Sequence, residues 1–245
     1  MRHIYLPVFM LAFACSCSSQ EKVSQKVFDD IAVTNGIEFH DSRLTQPRFC
    51  TGFLLKYNND TFAVTAKHLL KIIKPEKMTA LSLDGFVKNW VLFPLDKKED
   101  TIVTEKLLNQ NTAELLKDKT TYENDWLIFS IRSNHSVVKP LQVRTTPLTT
   151  GEKLYVVGWT RKMESGKQRV YEFEYYKTIG RRILIKEVIV PEQFGGLSGA
   201  PVVDEQGGLV GIVSNSTEDP DTGKKYFSPC TIDGLITFLQ NIKRE

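Results

Sequence analysis

The sequence predicts an all-β chain closed by one short C-terminal helix, and three features carry that expectation. Val202-Val203-Asp204 and Leu209-Val210-Gly211-Ile212-Val213-Ser214 are β-branched runs joined by Glu205-Gln206-Gly207-Gly208, the pattern of a hairpin. Residues 49–57 and 61–66 form a second such pair around the turn signal Asn58-Asn59-Asp60. The tail places Ile232, Leu235, Ile236, Leu239 and Ile242 at helical spacing. A chain of 245 residues has room for one large β domain or two small lobes sharing a core.

Composition is ordinary for a globular protein, with 41% hydrophobic and 25% charged residues, and a formal charge of +3 is too small to argue for nucleic acid. The N-terminus reads as a targeting segment. Residues 4–14 are an uncharged apolar run too short to span a bilayer, ending in Leu11-Ala12-Phe13-Ala14-Cys15-Ser16-Cys17. Small residues followed by cysteine resemble a bacterial lipobox, which implies lipidation at Cys15 or Cys17, export, and anchoring to a membrane facing the periplasm or cell surface. Residues 1–16 are expected to be the signal peptide and 17–47 a tether and N-terminal segment, polar over 21–30.

Along the chain, Phe49-Cys50-Thr51-Gly52-Phe53-Leu54-Leu55 and its return strand deliver Thr65-Ala66-Lys67-His68. Residues 69–74 make a helical turn stopped before Pro75. Residues 79–83 and 90–93 read as strands, with Asp84-Gly85 as a turn. The polar stretch 97–119 reads as an insertion or long loop, partly helical by its spacing of Leu107-Leu108 and Leu115-Leu116. Asp125 opens the apolar strand Trp126-Leu127-Ile128-Phe129. Residues 137–143 form a linker ending in a strand. Residues 154–159, 169–176 and 182–189 are further strands. His40 and His135 lie in polar stretches and read as surface residues.

The chemistry centres on Gly195-Gly196-Leu197-Ser198-Gly199-Ala200-Pro201. Glycines on both sides of one serine open backbone conformations closed to residues bearing a Cβ. Such a loop holds a hydroxyl outward while aiming N–H groups into the same space, as acyl transfer requires. A helix would have to follow the serine in an α/β-hydrolase elbow, whereas here a proline and a β-rich run follow. The segment resembles the nucleophile loop of trypsin-like (chymotrypsin-fold) serine peptidases. Thr65-Ala66-Lys67-His68 is similar to that family's histidine motif, and Asp125 before its apolar strand is similar to its aspartate motif. The chain order His68, Asp125, Ser198 matches as well.

The resemblance implies a double β-barrel over residues 48–245, with a first barrel at about 48–133, a second at about 137–230 and a closing helix at 231–243. It implies a serine endopeptidase acting on protein or peptide substrates, with Ser198 as nucleophile, His68 as base and Asp125 orienting it. The backbone N–H groups of Gly196 and Ser198 would form the oxyanion hole. Neither cofactor nor metal is implied. Cys50 and Cys230 fall in different lobes, so two separate thiols are expected. Counting back six residues from Ser198, as the family's primary pocket is built, assigns Glu192 to a substrate pocket selecting lysine or arginine. Two departures stand out: Lys67 replaces the alanine usual before the histidine, and Leu197 replaces the aspartate that pairs with a freed N-terminus in zymogen-activated members. Both keep open an alternative from another class, a binding or scaffold lipoprotein with an idle triad.

Overall fold

The computed structural model describes residues 27–117 and 122–242. The signal peptide with Cys15 and Cys17, and the first part of the tether, lie outside the described residues. In chain order the elements are β1 (Ala32–Phe39), β2 (Gln46–Tyr57), β3 (Asp60–Thr65), α1 (Leu69–Ile73), β4 (Ala80–Leu81), β5 (Val87–Phe93), β6 (Ile102–Leu107), β7 (Asn111–Leu115), β8 (Leu127–Asn134) and β9 (Leu141–Gln142). There follow β10 (Lys153–Gly158), β11 (Arg169–Ile179), β12 (Arg182–Ile189), β13 (Pro201–Val203), β14 (Leu209–Glu218), β15 (Lys225–Thr231) and α2 (Asp233–Asn241).

These strands close into two antiparallel six-stranded barrels. The first runs β1-β5-β6-β8-β3-β2 and is closed by β1 pairing with β2, with β9 added in parallel beside β2. The second runs β10-β11-β12-β15-β14-β13 and closes through the β10–β13 pair. Closure removes the unpaired edges that an open sheet would expose. A buried cluster joins the barrels: Phe53, Val64 and Ile128 from the first meet Val157, Val203 and Ile212 from the second. Helix α2 seals this seam with Leu235 and Leu239, and Phe238 packs its ring 5.4 Å from that of Trp126. Each such buried leucine contributes about 1.5–3 kcal/mol through area removed from water.

Two expectations are corrected. The first barrel begins at Ala32, not near residue 48. β1 pairs with β2 on one side and β5 on the other, and seven of its eight residues are buried, so no polar alternation marks it as a strand. Phe28 and Ile31 are also buried, so this part of the supposed tether belongs to the core. Residues 97–119 contain strands in place of a long, partly helical loop. β6 buries Ile102, Thr104 and Leu107 between β5 and β8, and β7 pairs with β4. The lysine- and glutamate-rich outward positions masked that pattern.

Candidate active site

The site lies where the two barrels meet. β3 ends at Thr65 and leads His68 to the start of α1, while Asp125 sits fully buried just before β8, the strand paired with β3. Hydrogen bonds link the two residues twice. The His68 backbone N–H donates to Asp125 Oδ1 at 2.8 Å, and His68 Nδ1 lies 2.7 Å from Oδ2. The Ser214 hydroxyl donates to the same Oδ2. An ionised carboxylate only accepts, so Nδ1 carries the proton and Nε2 presents its lone pair. Nε2 faces Ser198 Oγ at 2.8 Å. Burial alone would push the Asp125 carboxyl up. The hydrogen bonds and charge of His68, with the Ser214 hydroxyl, outweigh it and hold the group below the usual carboxylate range.

Ser198 is fixed by a loop clamped from both barrels. Leu197 N–H donates to Phe194 C=O at 3.1 Å, closing a tight turn whose third residue, Gly196, has φ +102. A Cβ on Gly196 would lie 2.4 Å from Arg161 N, and one on Gly199 2.3 Å from Thr51 O, so glycine is required at both positions. Gly199 N–H donates to Val213 C=O, and Thr51 N–H donates to Ser198 C=O. The Leu197 side chain is fully buried in the core of the second barrel. Packing of this side chain therefore anchors the loop.

The same bonds aim two amides. In a trans peptide the C=O and N–H point opposite ways. Arg161 N–H holds Gly195 C=O at 2.6 Å, which turns the Gly196 N–H away from Arg161; Ala200 N–H holds Leu197 C=O at 2.8 Å, which turns the Ser198 N–H outward. Neither amide has an acceptor among the described residues. Thr51 Oγ1 donates to Gly196 C=O at 2.8 Å and fixes the intervening peptide. Two unsatisfied donors beside a hydroxyl are what a developing oxyanion needs.

β14 leaves an open edge at the site. Its ladder to β15 runs to Glu218, but β13 covers its other edge only to Ile212. Beyond Ser214 that edge is left for an extended peptide to continue the sheet.

The sequence-predicted residues fare differently. His68, Asp125, Ser198 and Gly196 come together. Glu192 does not: its side chain is 88% exposed and pairs with Lys162 at 3.2 Å. Counting back six residues presumed a loop that carries the chain inward, whereas here Glu192 stands on the surface, outside any buried pocket. Inside the barrel, Phe194 stacks on Phe227 at 4.8 Å and Phe227 on Phe173 at 5.2 Å. Lys67 is 2% exposed, with Nζ 2.6 Å from Glu114 and 5.8 Å from the Trp126 ring, so its charge is engaged by Glu114. Cys50 and Cys230 are both free thiols. Burial pushes the Cys50 thiol up to about 12 against the pull of Arg161, Arg48 and Ser198. Sequence reasoning missed Ser214, Thr51 and the Arg161 amide. Ser214 was visible as a lone hydroxyl ending an apolar strand, whereas the other two act through contacts that only the fold creates.

Two closed six-stranded barrels, with a serine–histidine–aspartate hydrogen-bond chain between them, define the trypsin-like architecture. The Trypsin family model matches residues 37–232, and the chain belongs to that family of serine proteases. Among solved structures it is similar to the Rv3671c protease from M. tuberculosis in its active form, with 13% identity, a TM-score of 0.59, and coverage of 99% of this chain and 96% of that one. It is also similar to neuropsin, a serine protease expressed in the limbic system of mouse brain, with 16% identity, a TM-score of 0.59, and coverage of 87% and 94%. A thermostable serine protease, AL20, from an extremophilic microorganism follows with 13% identity, a TM-score of 0.56, and coverage of 86% and 96%. No curated protein sequence matches the chain. Family and fold support peptidase activity on protein or peptide substrates.

Proposed function

We propose that the protein is a serine endopeptidase that works through an acyl-enzyme. The observation that carries this is the unbroken chain from Asp125 Oδ2 through both His68 nitrogens to Ser198 Oγ, at 2.7 and 2.8 Å, beside two unsatisfied amides. Ser198 Oγ forms a bond to the peptide carbonyl carbon as its proton passes to His68 Nε2. The carbonyl electron pair moves onto the oxygen, which the N–H groups of Gly196 and Ser198 hold. As the C–N bond breaks, His68 gives the proton to the departing amine. Water then repeats the sequence, with His68 as base, and releases the acid. Asp125 keeps the imidazole in the productive tautomer and stabilises its cation. Each oxyanion donor is worth about 3–4 kcal/mol in the transition state.

The idle-scaffold alternative drew on Lys67 and Leu197. Lys67 is engaged by Glu114 and Leu197 anchors the loop, so neither departure disturbs the chain of hydrogen bonds. A fluorophosphonate probe separates the two readings, because it labels only an activated serine. The expected outcome is labelling of the peptide containing Ser198, and a folded protein that resists the probe would favour the scaffold.

The leader ending at Cys15 and Cys17 supports an exported lipoprotein held at a membrane. A single acyl chain binds weakly and two or more hold stably. Mass spectrometry of the mature protein should find a lipid-modified cysteine at its N-terminus. An unmodified terminus beyond Cys17 would remove the anchor.

A further inference from the structure

A recess of about 60 Å³ is bounded by Arg48, Phe49, Cys50, Trp159, Arg161 and Gly196. Gly196 forms part of its wall, and the Gly196 backbone packs against that of Arg161. Ser198 itself sits between the barrels: Gly199 N–H bonds Val213 C=O at the β14 side, and Thr51 N–H bonds Ser198 C=O at the β2 side. A peptide whose acyl half lies along the open edge of β14 therefore leaves across the residues just before Thr51. Those are Cys50, Phe49 and Arg48. Cys50, in the wall of the recess, has a side-chain hydrogen bond with Ser198, so the first residues past the cleaved bond pass over the recess.

Two arginines line the recess; Arg161 is exposed, and its charge acts on Cys50 in the same wall. Arg48 is partly buried and donates through Nη2 to Thr160 C=O at 3.0 Å, which holds its side chain across the loop bearing Arg161. Among the described residues neither arginine forms an ion pair within 4.0 Å. Glu164 acts on Arg48 only at longer range, Glu192 is engaged by Lys162, and the Cys50 thiol stays protonated at neutral pH. Two cations without a carboxylate partner, next to the point where the leaving chain departs, match an acidic side chain.

We propose that this recess is a specificity subsite selecting substrates with aspartate or glutamate at the first or second residue after the scissile bond. The inference rests on the endopeptidase reading above and adds a substrate class to it.

The test uses end-blocked, internally quenched peptides sharing one acyl half and carrying Ala-Ala, Glu-Ala, Ala-Glu, Lys-Ala or Ala-Lys after the cut. One further peptide, ending there in a free terminal carboxylate, distinguishes that source of negative charge from a side chain. An ester of the same acyl half with an uncharged leaving group reports Ser198 chemistry without the recess. We expect kcat/KM for the better glutamate peptide to exceed that of its lysine counterpart about three- to tenfold, with the advantage shrinking at high salt. In Arg48→Gln and Arg161→Gln the glutamate-to-lysine ratio should fall toward one. The ratio is taken within one enzyme, so partial misfolding does not move it. Ester hydrolysis with no glutamate preference, an advantage that survives both substitutions, or a response only to the free terminal carboxylate would overturn the subsite alone. Failure to hydrolyse the ester would overturn the peptidase reading with it.

Discussion

In the proposed mechanism, Asp125 is the residue whose environment does most to set the chemistry. It is fully buried, yet three hydrogen bonds and the neighbouring imidazole hold its pKa below the usual range. An unfolded aspartate titrates near 3.9, so below about that pH the unfolded chain binds more protons than the native one. The stabilisation is therefore fully present above about pH 4 and is lost as pH falls through the lower native value. Asp125→Asn should lower kcat by about 10⁴, because an amide there favours the wrong imidazole tautomer. The same substitution should flatten the loss of urea resistance that wild type shows below about pH 4. Kinetics and urea midpoints across pH check both outcomes, and a variant with wild-type kcat would contradict the assignment. His68, Asp125 and Ser198 were legible because each is framed by a strand or by glycines. Ser214 stood out only as a lone hydroxyl ending an apolar strand; its role was not legible, because its contact with Asp125 joins residues 89 apart in sequence.

Among the elements, the loop from Phe194 to Ala200 decides whether the site is built. Its turn, its two positive-φ glycines, Gly196 and Gly199, and its outward amides depend on Leu197 being sunk into the second barrel. Leu197→Ala leaves a cavity there and should cost about 2–5 kcal/mol. The urea midpoint should fall with an unchanged m-value, and hydrolysis should fall more than stability alone explains, since Ser198 loses its fixed position. An unaltered midpoint would show that Leu197 does not anchor the loop. The sequence reveals such elements unevenly. The β13–β14 hairpin and α2 were plain from their turn residues and spacing. β1 was hidden because it is buried on both faces, and β6 because charged residues such as Glu105 and Lys106 interrupt its buried positions. Glu192 shows the limit of counting along a loop: the offset was right only if the chain after Pro191 turned inward, and it turns out.

At the scale of the molecule, two closed barrels share one buried seam, and the hydrogen-bonded residues are divided across it. His68 and Asp125 belong to the first barrel and Ser198 and Ser214 to the second, so their alignment depends on the barrels staying fused through Phe53, Val157, Ile212 and Leu235. Geometry held within about 0.5 Å is what makes a weak nucleophile reactive. The resemblance of three short motifs was enough to foresee this division, though the lobe boundary fell 16 residues late (48 − 32). The central claim is that Ser198 is an activated nucleophile for peptide hydrolysis. The most direct measurement compares wild type and Ser198→Ala on one quenched peptide, with thermal unfolding followed in parallel. The account predicts a fall in turnover of at least about 10⁴ with an unchanged unfolding transition. A folded Ser198→Ala protein that hydrolyses the peptide at the wild-type rate would contradict it.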